Sequence, residues 1–429
     1  MKFFWSALLL ILISGEISEF SNLIVPSKNN FRIINYILLP TILVFFLKLG
    51  MKSIKLCFPQ NFNKIFLFIM TPIIIAYLIE LQQKLFLSLN IAQIQSIIIG
   101  GIALVLILYL SKLIIADQKN TRFWLKLILT PYIYLCIFIA TTGLIAFVAI
   151  ELEIIHLASW EVPNILTKNG FLSGRKEHVS MPFYVTLVHD NFFGGFNRYN
   201  GLSIEPHTNT QFCAPAIFFS AYFFNKNSRL KNASIIALIT SYLILSFSIT
   251  FYASLFACLA LVFIKYFSLK KLIIITTSSS AFLLLKDFFF NTKEIQLLSF
   301  VLLDKIKGET GLNNSSSAHS DNILYYLNPD HLIGTGLFTD PMEMKWGLLS
   351  LFIYAFIVIF SVIIGLWLLL RKDEESIIGL GLIYYIIHSL KSPIASFSQP
   401  FLIYLYFIVA LSLCCCSQKK YFIKKQLVL

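Results

Sequence analysis

The chain has 429 residues, of which 58% are hydrophobic and 13% are charged, and its mean hydropathy is +0.80. Soluble domains carry about 25% charged residues, so this composition excludes an ordinary soluble domain and indicates a polytopic membrane protein. The formal net charge of +13 would suggest a nucleic-acid partner in a soluble chain. Here the basic residues fall in short clusters between apolar stretches, where they set the orientation of membrane spans, and we expect no nucleic-acid partner.

Apolar stretches close to the ~20 residues that cross a bilayer recur along the whole chain. The first begins at Phe3 and resembles a signal peptide, but no small-x-small cleavage site follows it, so we expect a retained span. The others lie at about 31–50, 65–81, 91–111, 123–150, 209–224, 233–248, 249–265, 271–287, 347–370, 376–390 and 393–416. The expected fold is therefore an all-α polytopic membrane protein with about 12 transmembrane helices.

Two of these spans come from one long apolar stretch. Asn232 to Lys265 is 34 residues, about 51 Å of helix, which exceeds a hydrocarbon core of ~30 Å. Basic clusters flank the stretch on both sides, so the chain must cross twice if both clusters are cytoplasmic. The sequence predicts the turn at Ser246–Thr250.

Two polar segments interrupt the spans and divide the chain into five parts. If the basic clusters are cytoplasmic, both termini are cytoplasmic and the two segments are large extracytoplasmic loops on the same side, able to contribute to one site. The parts are N-terminal helices, about five in number (1–150), the first loop (151–208), central helices (209–287), the second loop (288–346), and C-terminal helices with a short basic tail (347–429).

Neither cysteine nor histidine spacing indicates a metal site. The seven cysteines include no C-x-x-C pair, and Cys213 has no partner cysteine in either large loop. No two of the seven histidines have the i, i+4 spacing of a helical metal site. We therefore expect neither a metal ion nor a cofactor.

Arginine is the informative basic residue. Only six of the 34 basic residues are arginine, yet Arg175 and Arg198 both lie in the first external loop. The guanidinium group presents a planar fork that binds phosphate oxygens in pairs, whereas lysine acts as a point charge. Arg198 is thus a candidate phosphate ligand; for Arg175, a surface salt bridge with Glu177 is an equally good interpretation.

The segment Arg198-x-x-Gly201-x-x-x-Glu205-Pro206 closes the first loop and runs directly into an apolar stretch. Further along come the Ser/Thr-rich turn, the ending Pro329-x-x-x-x-Gly334-x-Gly336 of the second loop, and Gly347-Leu348 at the start of a span. In this order, over roughly residues 196–364, these features resemble the O-antigen polymerase and O-antigen ligase superfamily. The ligase branch has an arginine before its Gly-x-Gly and a His-Asn pair after it. Both are missing here, which favours the polymerase branch.

The resemblance implies a membrane glycosyltransferase of the bacterial inner membrane that acts in lipopolysaccharide or other polysaccharide biosynthesis. Such a polymerase transfers a glycan chain linked to undecaprenyl pyrophosphate onto a lipid-linked repeat unit at the periplasmic face. A flippase and a chain-length regulator protein are the partners that it suggests. The implied catalytic residues are Arg198, which stabilises the pyrophosphate leaving group, and Glu205 or His319 as the general base. The implied substrate-binding residues are Arg175, Tyr199, Gly201 and His207.

Two alternatives stay open. His319 can stand in for either missing residue of the ligase branch, which transfers finished polymer to the lipid A-core. A flippase for lipid-linked glycans also commonly has twelve spans and cytoplasmic termini. However, transporters tend to carry charged residues inside spans, internal repeats and short external loops. This chain has almost no charge in the middle of a span, no detectable repeat and two long external loops.

Overall fold

The computed structural model describes residues 121–154, 158–159, 178–180, 185–189, 197–199, 206–223, 229–246, 248–266, 348–371 and 375–389, with six isolated helical positions. The second loop, the predicted retained first span and the predicted spans at 31–50, 65–81, 91–111, 271–287 and 393–416 lie outside the described residues, apart from those isolated positions. The described residues belong mostly to helices, which confirms the helical fold class for this part of the chain.

Seven helices are described, and most coincide with predicted spans. They are α1 (Thr121–Glu151), α2 (Pro206–Cys213), α3 (Pro215–Tyr222), α4 (Arg229–Leu245), α5 (Ile249–Tyr266), α6 (Leu348–Leu370) and α7 (Glu375–Ser389). On length and composition, one helix among the described residues, at Arg122–Ala149, could cross a membrane. Shorter apolar helices account for α4, α5, α7 and the second half of α6.

The predicted span at 209–224 is two short helices. α2 ends at Cys213 and α3 begins at Pro215, because proline lacks the backbone N–H that would continue the helical ladder and its ring crowds the preceding turn. Ala214, between them, keeps right-handed helical angles, with φ −66° and ψ −35°. The chain therefore stays helical across this junction, and the predicted apolar stretch at 209–224 corresponds to two helices in succession.

The predicted turn at Ser246–Thr250 is confirmed. α4 ends at Leu245 and α5 begins at Ile249, so the long apolar stretch forms two helices separated by a short turn. Ser248 is the N-cap of α5: its hydroxyl oxygen accepts a hydrogen bond from the backbone N–H of Phe251 at 3.4 Å. This bond satisfies one of the N–H groups that the first turn of a helix leaves without a partner.

The first loop contains a small antiparallel sheet that the sequence did not predict. Its four short strands, β1 (Ala158–Ser159), β2 (His178–Ser180), β3 (Val185–His189) and β4 (Asn197–Tyr199), lie in the order β1-β2-β3-β4. Among the described strands, β4 lies at the edge of the sheet, is paired with β3 and is the last one before α2. Six residues, 200–205, separate the last residue of β4 from Pro206.

The helices pack around α7, which contacts α2, α3, α5 and α6. The closest approach is between α6 and α7, where two glycines meet. A Cβ atom added at Gly379 would lie 2.6 Å from the backbone oxygen of Gly365. Small residues at such crossings allow helix backbones to come close together, as is common between membrane-spanning helices.

α1 packs on the other side, against α3 and α4. Its C-terminal end has the hydrogen-bond pattern of a Schellman motif, with the N–H of Ile154 donating to the carbonyl of Ala149 at 2.9 Å. Glu153 takes the left-handed conformation that this motif requires, at φ 57°, a position that usually holds glycine. The motif ends α1 at the start of the first loop.

Candidate functional site

The structure gives positions for three of the seven residues that the sequence nominated. Arg198 lies in β4, where its partner in register is Val188, and Tyr199 is the last residue of β4, opposite Leu187. Successive residues of a strand lie on opposite faces, so Arg198 and Tyr199 are on different faces of the sheet. His207 is the second residue of α2. The other nominated residues, Arg175, Gly201, Glu205 and His319, lie outside the described residues.

α2 connects the nominated loop to the helical bundle. It begins at Pro206, as predicted, because proline suits the first helical position, where an N–H would have no intrahelical acceptor. Three consecutive polar residues, Asn209, Thr210 and Gln211, are each at most 2% exposed. Buried polar groups are costly unless they form hydrogen bonds, so the contacts of α2 decide whether this helix is stable.

Thr210 is the centre of one set of these contacts. Its Oγ1 atom donates a hydrogen bond to Oγ of Ser248 at 3.2 Å and lies 2.9 Å from Nε2 of His388. His388, near the end of α7, is fully buried, and its ring lies 5.7 Å from that of Tyr384. We call Thr210, Ser248 and His388 the Thr210 cluster; it connects α2, the N-cap of α5 and the end of α7.

Asn209 forms a second set of contacts. Its amide nitrogen donates to the hydroxyl of Tyr242 on α4 at 2.8 Å, and its amide oxygen accepts a bond from the thiol of Cys213 at 3.6 Å. Tyr242 has no exposed surface and packs directly against Gly143 of α1. This chain of contacts joins α2 to α4 and, through the glycine, to α1.

A third set of contacts holds the junction between α2 and α3. The hydroxyl of Tyr132 on α1 donates a hydrogen bond to the backbone carbonyl of Phe212. The Tyr132 ring also packs edge to face on Phe212 of α2 and on Phe219 of α3. The distances between ring centroids are 5.5 and 5.9 Å. Such aromatic pairs contribute about 0.5–1.5 kcal/mol beyond the area that they bury. α2 is therefore anchored on three helices, α1, α4 and α7, and on the N-cap of α5.

The two ends of the described bundle differ in charge. On the described helices, the basic residues occupy the ends remote from the Thr210 cluster: Arg122 and Lys126 on α1, Arg229 and Lys231 on α4, Lys265 on α5, with Arg371 following α6. Two of these ends meet where Nζ of Lys265 donates to the carbonyl of Arg371 at 2.6 Å. α4 has 17 residues, so its two ends are about 25 Å apart. The start of α2 and the basic helix ends thus lie towards opposite ends of the described helices.

The contacts of α2 are suited to holding a structure rather than to acid–base or metal chemistry. Apart from His388, the residues that form them are neutral hydroxyl, amide, thiol and phenol groups. Within the described ranges, no group of three or more His, Cys, Asp or Glu residues could hold a metal ion. Comparisons with protein-family models, with curated proteins and with solved structures find no match for this chain.

Sequence reasoning overlooked most of these anchoring residues. The sequence predicted the turn that contains Ser248, but it assigned no role to Asn209, Thr210, Tyr242 or His388. The available signal was the run Asn209-Thr210-Gln211 at the start of an apolar stretch. Three adjacent polar residues in a segment that must be buried predict hydrogen-bonding partners on neighbouring helices.

Proposed function

We propose that this protein is a repeat-unit polymerase of a bacterial polysaccharide, embedded in the inner membrane with its active site at the periplasmic face. The observation that carries the proposal is the course of the chain from Arg198 to α2. The arginine lies in an edge strand, and the helix that follows is anchored at the end of the bundle opposite the basic helix ends. A catalytic loop needs such an anchor, because reacting groups must be held in a near-attack geometry.

The exposed surface of the described helices supports the membrane location. α1, α5 and α6 carry large apolar side chains on their exposed sides, including Tyr134 at 55%, Phe256 at 75% and Ile363 at 57% exposure. Lipid tails are as apolar as these side chains, so exposure to a bilayer costs nothing, whereas exposure to water does. The basic helix ends are those expected at a cytoplasmic surface, and in the proposal Arg198 is on the periplasmic side.

The proposed reaction is transfer of a glycan between two lipid carriers. A hydroxyl oxygen of the acceptor sugar attacks the anomeric carbon of the donor, a new glycosidic bond forms, and the bond from that carbon to the pyrophosphate oxygen breaks. The hydroxyl proton goes to a base, for which Glu205 and His319 are the candidates. The pyrophosphate gains negative charge as it leaves, and the guanidinium of Arg198 stabilises this charge, with Arg175 as a second cation.

Transport of lipid-linked glycans is the second candidate function. Polar side chains buried between apolar helices, like those of the Thr210 cluster, also occur along the substrate paths of transporters. We favour an anchoring role for the cluster because the sequence has two long polar segments between its apolar stretches, and transporters tend to have short external loops.

One experiment separates these functions. Deletion of the gene should leave a single repeat unit on the lipid core and abolish the ladder of longer chains on a glycan gel. A ligase would instead lose even the single unit and accumulate lipid-linked polymer, and a flippase would retain repeat units on the cytoplasmic leaflet. Loss of all glycan from the core, with polymer still present on the lipid carrier, would refute the proposal.

A further inference from the structure

His388 and Thr210 have no part in the proposed chemistry, yet they are among the most buried polar residues described, both without exposed surface. They are separated by 178 positions in the chain, and their side chains are 2.9 Å apart. A hydrogen bond between helices that are so distant in sequence indicates a specific arrangement of α2 on α7. The position of Thr210 is also informative, because it lies only four residues after Pro206, where the nominated loop ends.

The hydrogen bonds of the Thr210 cluster have a defined direction. A threonine hydroxyl has one hydrogen to donate, and Thr210 donates it to Ser248. In that arrangement, the imidazole tautomer that carries its hydrogen on Nε2 donates to the threonine oxygen. Ser248 accepts this bond from Thr210 and a second from the N–H of Phe251. A single chain of bonds thus runs from α7 through α2 to the first turn of α5.

We propose that His388 and Thr210 are positioning residues, which fix the start of α2 and through it the loop that carries Arg198 and Glu205. This inference rests on the proposed function for the role of the loop, but the hydrogen-bonded cluster can be tested independently of that function. α2 has only eight residues, and isolated helices of that length are not stable. Its conformation therefore depends on contacts such as those of the cluster.

The geometry allows matched substitutions at both positions. Glutamine can place an amide N–H where Nε2 of histidine lies, whereas the shorter asparagine reaches only the position of Nδ1. His388→Gln should therefore keep the donor to Thr210, and His388→Asn should lose it. In the same way, Thr210→Ser keeps the hydroxyl and Thr210→Val removes it at nearly constant volume. Ser220→Ala is the control, because the Ser220 hydroxyl is buried and makes no hydrogen bond among the described residues.

Two measurements on full-length protein test the proposal. The first is hydrogen–deuterium exchange of the 206–214 peptide in purified, detergent-solubilised protein, with peptides of α4 as an internal reference. The second is the glycan ladder in a deletion strain that expresses each variant at wild-type level. We expect Thr210→Val and His388→Asn to raise exchange in α2 about tenfold and to lower polymer formation about 10- to 100-fold. The variants Thr210→Ser, His388→Gln and Ser220→Ala should remain close to wild type in both measurements.

The outcomes separate a failure of this inference from a failure of the proposed function. Unchanged exchange in Thr210→Val, or equal behaviour of His388→Gln and His388→Asn, would overturn the hydrogen-bonded cluster. Faster exchange with a normal ladder would overturn the positioning role, provided that Arg198→Ala abolishes the ladder. If Arg198→Ala also leaves the ladder normal, the proposed function is wrong, and the exchange data alone then decide whether the cluster holds α2. If Thr210→Val does not accumulate, the two His388 variants carry the test.

Discussion

Gly143 is the position at which the described packing can be tested most directly. A Cβ atom added there would lie 2.1 Å from Cε2 and 2.7 Å from Cδ2 of Tyr242, far closer than atoms can approach. The Tyr242 ring cannot swing away freely, because its hydroxyl accepts a hydrogen bond from Asn209 at 2.8 Å. Gly143→Ala must therefore either separate α1 from α4 or break the contact between Tyr242 and α2.

The sign of the effect is what makes this substitution informative. Replacing a helical glycine by alanine normally stabilises a helix by about 1 kcal/mol. Overpacking a well-packed site costs about 1–3 kcal/mol, and a buried amide that loses its partner costs about 1–3 kcal/mol more. The structure thus predicts a net destabilisation of about 1–5 kcal/mol at a position where helix propensity alone predicts a gain.

The assay is thermal unfolding of purified protein in detergent, followed by circular dichroism at a helix wavelength. Thr142→Ala is the control, since this neighbouring residue is partly exposed and its hydroxyl bonds only to carbonyls of its own helix. In a Tyr242→Ala background, Gly143→Ala should become neutral or stabilising, because the ring that it would strike is gone. A single Gly143→Ala variant that unfolds at or above the wild-type temperature would refute the described packing of α1 on α4.

Three further predictions concern the site, the α6–α7 crossing and the topology. Arg198→Ala should abolish polymer with normal protein level, and Arg198→Lys should also be poor because a point charge cannot replace the fork; a functional Lys variant on the glycan gel would instead indicate a salt bridge. Gly379→Ala should lower the unfolding temperature more than Gly381→Ala. The new Cβ at position 379 would lie 2.6 Å from a backbone oxygen, which cannot move aside, whereas the one at position 381 would lie 2.7 Å from the edge of the Phe219 ring. Equal unfolding temperatures of the two variants would contradict this prediction. Cysteines introduced at Arg175 and His319, in a background without native cysteines, should both react with an impermeant thiol reagent in intact cells, and labelling of only one would refute a site shared by both loops.

The helix boundaries could be predicted because each depends on local sequence. The apolar stretch at 123–150 corresponds to α1, and those at 347–370 and 376–390 correspond to α6 and α7 within one or two residues. The turn between α4 and α5 followed from an apolar stretch that is too long for one span and from the basic clusters on both sides of it. Both arguments use only hydrophobicity, length and charge.

The division of the apolar stretch into two helices at Pro215 and the polar contacts of α2 could not be predicted in the same way. Proline inside an apolar stretch either bends or interrupts a helix, and the sequence alone does not decide which. The pairing of Thr210 with His388 depends on how α2 and α7 pack, because the two residues are 178 positions apart. The sheet escaped prediction since its strands have two to five residues, too few to show an alternating pattern.

These contacts make the loop motif dependent on the C-terminal part of the chain. The helix that follows Arg198 and Glu205 is too short to be stable alone, and its polar side chains are buried against α4, the cap of α5 and α7. Removing α7 would therefore expose Thr210 and the turn at Ser248 together, and would leave their hydrogen-bonding groups without partners in an apolar environment. It follows that α7, although far from the loop in sequence, is required for the active geometry of the proposed site and is more than a membrane anchor.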